Sequence, residues 1–261
     1  MTKVGIIGLG LIGGSIFKDL SEAGYDVVGV SKSQAGVNQR IFSDYSVLAG
    51  CELVFVCKEM SKTLDVLNEL NNYLSPKTVV SDVCSLKEFV SNQSYNYNFI
   101  PTHPMAGTEF SGWDSSKTGL FKGAKWVITS DKKSELLEKL ITEMGAEIVY
   151  TTPKLHDEAV ALISHAPMVV AQALFKSIAD NELAKKLASS GFRDMTRLAL
   201  SSVDMADDMV RLNHENIEKA LLKLYSSVGE LTHGEYKEQI IKIKSERNKM
   251  YSNGINGVNI L

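Results

Sequence analysis

The sequence is poor in cysteine and has no cluster of residues typical of a structural metal site. Only three cysteines occur among the 261 residues, Cys51, Cys57 and Cys84, and they form no C-x-x-C pair. So sparse and odd a set argues against a disulfide scaffold and against a zinc site. We therefore expect no bound metal, and we expect the protein to reside in a reducing cytoplasm.

An excess of one charge is also lacking. Lysine and arginine number 28 and aspartate and glutamate 31, which gives a net charge of −3. A small acidic excess argues against nucleic acid as the main partner. Hydrophobic residues make up 44% and charged residues 23% of the chain, so disordered, collagen-like and rod-like proteins are disfavoured.

Long uninterrupted apolar runs are missing as well. Residues 4–17 are apolar and follow Lys3, as in a signal peptide, but they include five glycines and lead into Lys18 and Asp19. The run is also far shorter than the roughly 20 apolar residues that span a bilayer. We expect a soluble protein that has no membrane partner.

The first part of the chain alternates short β-branched runs with helical stretches. Strands are predicted at residues 3–8, 26–30, 52–57, 78–83, 98–102, 125–129 and 147–150, and helices at 13–23, 62–73 and 134–144. Continuous valine and isoleucine runs indicate strands that are covered on both faces. We predict an α/β domain with a doubly wound parallel sheet at residues 1–153.

The pattern changes after Pro153. Apolar side chains recur at helical spacing in residues 155–178 and 205–231, and Pro167 is expected to kink the first helix. We predict an all-helical second domain at residues 154–261, with a loosely held tail at 253–261. Because its apolar stripes exceed what so small a domain can cover, we expect a homodimer.

A glycine motif follows the first predicted strand. The pattern G-x-G-x-x-G consists of Gly8, Leu9, Gly10, Leu11, Ile12 and Gly13. In Rossmann domains such a turn opens a helix whose N-terminus binds the pyrophosphate of a dinucleotide. Gly8 permits the tight turn, Gly10 lets the phosphate approach the backbone, and Gly13 lets helix and strand pack closely. A tight turn without a ligand is the alternative interpretation.

The end of the second predicted strand bears on the choice of dinucleotide. NAD-selective sites carry an acidic residue there that binds the ribose 2′-hydroxyl. This chain has Ser31, Lys32 and Ser33 instead, whose hydroxyls and ammonium suit a 2′-phosphate. The loop favours NADP over NAD as the cofactor, although a plain polar loop would have the same composition.

Two polar residues follow neighbouring strands later in the domain. Ser85 ends the segment SDVCS, and His103 begins the segment HPMAGTE. Because the carboxyl ends of parallel strands border the same crevice, both side chains could reach a nicotinamide. A neutral histidine there can accept a proton from a substrate hydroxyl as hydride leaves the same carbon. A purely structural histidine fits the pattern equally well.

Three motifs in this order, SDVCS, HPMAGTEFSGWDSS and SSGFRDMTRLA, resemble the prephenate/arogenate dehydrogenase family of tyrosine biosynthesis. The resemblance extends from the glycine motif to at least Arg197. It implies a Rossmann domain followed by a helical domain that dimerises. It also implies NAD(P)-dependent oxidative decarboxylation of prephenate or arogenate, in which hydride passes from C4 to the nicotinamide, CO2 departs and the ring becomes aromatic.

The resemblance also implies roles for individual residues. His103 matches the catalytic base, Ser85 the hydroxyl that positions it, and Arg197 the arginine that binds a substrate carboxylate. The other positions that match the substrate site are Arg193, Asp194, His165, Thr108 and Glu109. If their segment is helical, Arg193 and Arg197 share one face and Asp194 can orient Arg197.

One segment departs from the family pattern. Cys57, Lys58 and Glu59 stand where many relatives have a Thr-Pro step, beside the expected position of the nicotinamide ribose. Cys57 is therefore predicted to contact the cofactor with a segment that differs from that of many relatives. We expect a monofunctional core enzyme without a fused chorismate mutase or regulatory domain.

Two alternative functions remain compatible with the sequence. A β-hydroxyacid or imine-reducing dehydrogenase has a similar domain order, but a β-hydroxyacid enzyme would use a lysine on the long helix, where this chain has His165. An NAD(P)-sensing regulator without activity would be expected to lack His103, Ser85 or Arg197, all of which are present.

Overall fold

The computed structural model describes residues 1–108 and 110–252. Contacts divide the chain into two compact units, the first of Met1–Lys154 with the described residues from Ser245 on, the second of Leu155–Lys244. Two expectations from the sequence lie outside the described residues, namely the role of Glu109 and the loose tail at 253–261.

A six-stranded parallel sheet forms the centre of the first unit. Its strands are β1 (Lys3–Ile7), β2 (Asp26–Val30), β3 (Ile41–Phe42), β4 (Leu53–Val56), β5 (Val79–Asp82) and β6 (Asn98–Phe99). They lie in the order β3-β2-β1-β4-β5-β6, and each neighbouring pair is parallel. This is the strand order of the doubly wound dinucleotide-binding fold, so the predicted fold class is confirmed.

Helices cover both faces of this sheet. They include α1 (Leu11–Glu22), α2 (Met60–Leu70) and the short α3 (Glu88–Ser91). All four residues of β4 are buried, and they alternate between two apolar clusters, with Leu53 and Phe55 in one and Val54 and Val56 in the other. Because successive side chains of a strand point to opposite faces, the two clusters are the two cores of a covered sheet.

A second, three-stranded sheet completes the first unit. It consists of β7 (Thr102–Pro104), β8 (Lys125–Ile128) and β9 (Glu147–Tyr150), with α4 (Glu135–Glu143) before β9. β7 runs antiparallel to β8, so the strand predicted at 98–102 is in fact divided between two sheets. The division falls at Ile100 and Pro101, and a proline has no N–H with which to continue a strand ladder.

The second unit is helical throughout its described residues. Its helices are α5 (Pro153–Val160), α6 (Ala166–Lys176), α7 (Glu182–Leu187), α8 (Ser190–Met195), α9 (Val203–Leu212), α10 (His214–His233) and the start of α11 (Tyr236–Ser252). A π-helical segment, Ala161–His165, joins α5 to α6, and a 3-10 turn, Arg197–Leu200, precedes α9. The sequence predicts a kink at Pro167. The structure has a π-helical segment that ends two residues before this proline.

The continuous helix Pro153–Lys176 is long and apolar enough to cross a membrane by length and composition alone. It has 24 residues and a mean hydropathy of 1.4 over its most apolar stretch. The sequence-based expectation rested on unbroken apolar runs and did not anticipate such a helix. The same helix contains the buried pair His156 and Asp157, whose side chains contact each other, and its apolar side packs against α10.

Candidate functional site

The glycine turn between β1 and α1 is shaped by two close backbone contacts. Gly8 has φ +85°, and a Cβ on it would lie 2.2 Å from the Cys57 carbonyl oxygen. A Cβ on Gly13 would lie 1.9 Å from the Gly8 carbonyl oxygen. Both positions therefore require glycine for the packing of the turn itself.

Gly10 differs from these two glycines. Apart from its own chain neighbours, a Cβ at this position would have no described protein atom within 4 Å. Packing of the described residues therefore does not account for glycine here, whereas close approach of a ligand to the backbone would. Leu9 is buried in the core beneath the turn, and Leu11 and Ile12 are half-buried in the first turn of α1.

The start of α1 suits an anion. Gly10 is the N-cap residue, no described side chain caps the helix, and its first turn contains no acidic residue. The first N–H groups of a helix lack intrahelical partners and carry a partial positive charge. The turn therefore fits the pyrophosphate of a dinucleotide, with Gly10 leaving the space beside it.

The loop after β2 places hydroxyls and an ammonium without a carboxylate. Ser31 is buried, its N–H donates to the Phe42 carbonyl oxygen at 2.8 Å, and its Oγ lies 3.3 Å from Ser33 Oγ. Lys32 between them is exposed. Asp26 lies at the opposite end of β2 from this loop and is paired with Arg40.

Cys57 links the glycine turn to the next strand. Its N–H donates to the Ile7 carbonyl oxygen at 2.7 Å, and its carbonyl oxygen lies against Gly8. Burial raises the pKa of the Cys57 thiol and of the neighbouring Cys84 thiol well above the ordinary range. Both cysteines are therefore neutral packing groups at this edge of the sheet, not nucleophiles.

A buried ion pair connects the loop that carries Ser85 to the strand that carries His103. Asp82, the last residue of β5, pairs with Lys87, and both side chains are completely buried. Lys87 Nζ also donates to the Thr102 carbonyl oxygen at 2.6 Å, and Thr102 Oγ1 donates to the Asp82 carbonyl oxygen at 2.7 Å. Buried charges require such pairing, so this network fixes the relative position of the two segments.

His103 and Ser85 are both close in sequence to residues of this network. His103 is the residue after Thr102, lies opposite Val127 of β8 and is half-buried. Ser85 is half-buried, and its hydroxyl donates to Met60 Sδ at 3.6 Å. A thioether is a weak acceptor, so the hydroxyl is held loosely enough to turn toward a ligand. The contact expected between Ser85 and His103 stays a prediction.

The loop after His103 folds back onto α1. The Lys117 N–H donates to Ser15 Oγ at 3.1 Å, which ties the loop to the helix that begins at the glycine turn. Thr108 is exposed and its Oγ1 accepts from the Phe110 N–H at 3.2 Å. The loop containing Thr108 is therefore anchored to the glycine-turn helix at its far end.

The arginine segment of the second unit departs from the expected geometry. α8 ends at Met195, and Arg197 begins a 3-10 turn, so Arg193 and Arg197 do not share one α-helical face. The sequence suggested that Asp194 orients Arg197. In the structure the carboxylate of Asp194 instead accepts from Arg193 Nε at 3.5 Å. The helix ends where Thr196 Oγ1 donates back to the Phe192 carbonyl oxygen at 2.8 Å.

Arg197 is exposed, and no described residue forms an ion pair or hydrogen bond with its guanidinium. A guanidinium of this kind can bind a carboxylate through two parallel hydrogen bonds.

His165 lies at the end of the π-helical segment and is 1% exposed. Asn213 Nδ2 lies 3.2 Å from its Nδ1, whereas its Nε2 has no hydrogen-bond partner among the described residues. Burial lowers the pKa of the imidazole to about 4, so the ring is neutral at physiological pH. π-helical segments of one turn are frequent at functional sites.

Several of these residues are not among those that the sequence predicts for the site. Asp82 and Lys87 flank Ser85 with opposite charges, which is a signal that the sequence contained. Asn213 offers no such signal, because it contacts His165 across 48 positions of the chain. Within residues 1–108 and 110–252, no group of three or more His, Cys, Asp or Glu side chains could hold a metal ion.

Two family models match the chain. One is described as the nucleotide-binding domain of prephenate dehydrogenase and matches residues 22–150. The other is described as the dimerization domain of prephenate dehydrogenase and matches residues 152–239. The two matches follow the order of the α/β and helical parts of the chain.

Individual relatives agree with these matches. A prephenate dehydrogenase of Bacillus subtilis is 32% identical over 238 residues, which is 81% of this chain but 64% of that protein. The structure of Synechocystis arogenate dehydrogenase is 29% identical, with a TM-score of 0.79 and coverage of 97% of this chain and 98% of that one. Prephenate dehydrogenase from A. aeolicus, solved with hydroxyphenyl propionate and NAD+, is 27% identical, with a TM-score of 0.78 and coverage of 98% and 96%. The chain belongs to the prephenate dehydrogenase family.

Proposed function

We propose that this protein is a cytoplasmic prephenate or arogenate dehydrogenase that catalyses an NAD(P)-dependent oxidative decarboxylation. The observation that carries the proposal is the Asp82–Lys87–Thr102 network. It holds His103 beside the carboxyl end of β5, the sheet edge at which doubly wound folds bind a dinucleotide. Membership of the prephenate dehydrogenase family supports the same reaction.

In the proposed reaction, His103 acts on the hydroxyl at C4 of the substrate ring. A neutral imidazole nitrogen accepts the hydroxyl proton while hydride leaves C4. A bound nicotinamide would supply the acceptor for that hydride. The electrons of the bond to the departing CO2 then pass through the ring to the C4 oxygen, which takes back the proton held by His103, and the ring becomes an aromatic phenol. Ser85 has a loosely held hydroxyl with which to orient the imidazole or the substrate hydroxyl.

The remaining residues bind substrate and cofactor. Arg197 binds a substrate carboxylate through its guanidinium, with which no described residue pairs, and His165 contacts the same substrate. Further substrate contacts are proposed for Arg193, Asp194, Thr108 and Glu109. Gly8–Gly13 hold the pyrophosphate, and Cys57 lies against that turn.

The direct test is an assay for reduced nucleotide. Purified protein is mixed with prephenate or arogenate and with NAD or NADP, and absorbance of the reduced nicotinamide is followed in all four combinations. We expect turnover with at least one of the two substrates. Absence of reduced nucleotide in all four combinations, with a folded protein, would refute the proposed function.

We further propose that NADP is the preferred cofactor, because no carboxylate stands in the loop of Ser31, Lys32 and Ser33. Ser31→Asp should shift the ratio of kcat/KM from NADP toward NAD by tenfold or more, since about 1.4 kcal/mol of charge repulsion suffices for that factor. Ser31→Asn, of similar size but uncharged, is the matched control and should leave the preference with NADP. Wild-type protein that uses NAD at least as well as NADP would contradict this assignment.

A homodimer built by the second unit is the proposed assembly. Large apolar side chains of this unit are exposed, among them Leu200 at 80%, Val203 at 82% and Tyr225 at 80%. Large exposed apolar surfaces often mark protein interfaces, and the match of residues 152–239 to a dimerization domain supports the same assembly. Light scattering should give twice the chain mass of 28.6 kDa. A monomer at working concentration would contradict the prediction.

A further inference from the structure

A buried polar cluster surrounds His165 in the second unit. Asn213 Nδ2 donates to the Asp157 carbonyl oxygen at 2.9 Å and lies 3.2 Å from His165 Nδ1. Asn216 Nδ2 donates to Asn213 Oδ1 at 2.8 Å. The carboxylate of Asp157 is engaged by His156 Nδ1 at 2.7 Å. Asn213 is thus held from two sides and in turn contacts the imidazole.

The orientation of the Asn213 amide follows from these partners. A backbone carbonyl oxygen can only accept a hydrogen bond, so the amide group that faces the Asp157 carbonyl must be the NH2. Rotating the amide by 180° would bring two oxygens together and would turn Oδ1 away from Asn216. The second hydrogen of the same NH2 is then directed to His165 Nδ1.

This orientation determines where the imidazole carries its proton. In a neutral histidine one ring nitrogen is a donor and the other an acceptor. Because Nδ1 accepts from Asn213, the proton resides on Nε2. That Nε2–H is buried and has no acceptor among the described residues, an arrangement that proteins avoid unless a ligand supplies the acceptor.

We propose that Asn213 is a positioning residue that fixes the Nε2–H tautomer of His165, so that this nitrogen donates a hydrogen bond to an acceptor oxygen of the bound substrate. The inference rests on the proposed function for the identity of the substrate. It divides the work between the two histidines, with His103 accepting a proton and His165 donating a hydrogen bond without releasing its own. Burial keeps His165 neutral and thereby supports the division.

The tautomer can be observed directly in the full-length protein without substrate. In protein labelled with 15N-histidine, long-range proton–nitrogen correlation spectra distinguish the Nε2–H, the Nδ1–H and the doubly protonated ring. The signal of His165 is assigned by its loss in His165→Gln. We expect the Nε2–H pattern at neutral pH. An Nδ1–H or an imidazolium pattern in the wild type would overturn the inference.

Variants of the amide test whether Asn213 sets this tautomer. In Asn213→Asp a carboxylate replaces the donor, so the ring should switch to Nδ1–H or become protonated. In Asn213→Ala both tautomers should be populated. Asn216→Ala leaves both donors of Asn213 in place and should retain Nε2–H. A pure Nε2–H signal in folded Asn213→Ala would overturn the assignment, and the wild-type spectrum decides alone if Asn213→Asp does not fold.

Kinetics separate a positioning role from a merely structural one. Asn213→Ala should raise KM by roughly tenfold, as expected for a weakened hydrogen bond to substrate. The acid limb of the pH profile, which is the decrease of kcat/KM at low pH, should stay at the same pH. A shift of that limb, or a loss in kcat alone, would contradict the proposed division between the histidines. Lack of wild-type activity with an Nε2–H spectrum would refute the proposed reaction and the substrate contact, but not the tautomer assignment.

Discussion

Replacing His103 by asparagine should lower kcat by roughly 10²–10⁴-fold with little change in KM. Asparagine keeps a polar side chain of comparable size but cannot accept a proton at physiological pH. In the proposed reaction His103 acts on the substrate hydroxyl chiefly in the transition state, so its loss should affect the chemical step more than binding. Steady-state kinetics at saturating cofactor measure both parameters.

The pH dependence of kcat/KM tests whether His103 is the base. A base must be deprotonated to act, so wild-type kcat/KM should fall as the pH drops through the range in which histidines titrate. That limb should vanish in His103→Asn. If it survives, another residue is the base. His165 would be the first suspect, but burial lowers its pKa to about 4, so its limb would lie at a clearly lower pH.

A folding control is needed for this variant. The Asp82–Lys87 network reaches β7 through Thr102, which the substitution does not change, so the network should stay intact. Thermal unfolding and cofactor binding of His103→Asn should therefore match the wild type. A variant that loses cofactor binding together with kcat would point to a structural role for the imidazole.

Replacing Arg197 by alanine should chiefly raise KM, by roughly 30- to 1000-fold. This range corresponds to the loss of one charge-assisted carboxylate pair at about 2–4 kcal/mol. The guanidinium is exposed and no described residue pairs with it, so it contributes little to folding. It is therefore available to bind a carboxylate in the ground state as well as in the transition state.

Two further variants sharpen this test. Arg197→Lys keeps the charge but loses the planar fork, so its KM should lie between wild type and Arg197→Ala. Arg193→Ala should have a smaller effect, because Arg193 already contacts Asp194. An unchanged KM in folded Arg197→Ala would exclude this arginine from the carboxylate site.

Much of the fold could be predicted because its determinants are local. The valine and isoleucine runs of β1, β2 and β4 and the helical spacing of α1 and α2 lie within single elements. The glycine motif is local too, since Gly8 and Gly13 meet within one turn. The two-residue strand β3 was missed because so short an element has no period to detect.

The sequence by itself determined the α/β class, the glycine turn and the residue types of the candidate site. Only the tertiary structure decided that residues 98–104 are shared between two sheets, that Lys87 joins β5 to β7, and that Asp194 pairs with Arg193. It also decided that the amide of Asn213 contacts His165, because the two residues meet only through the packing of α10 against the π-helical segment. The reason is physical: periodicity and turn chemistry act over a few neighbouring residues, whereas a buried hydrogen bond requires partners that only the packed chain brings together.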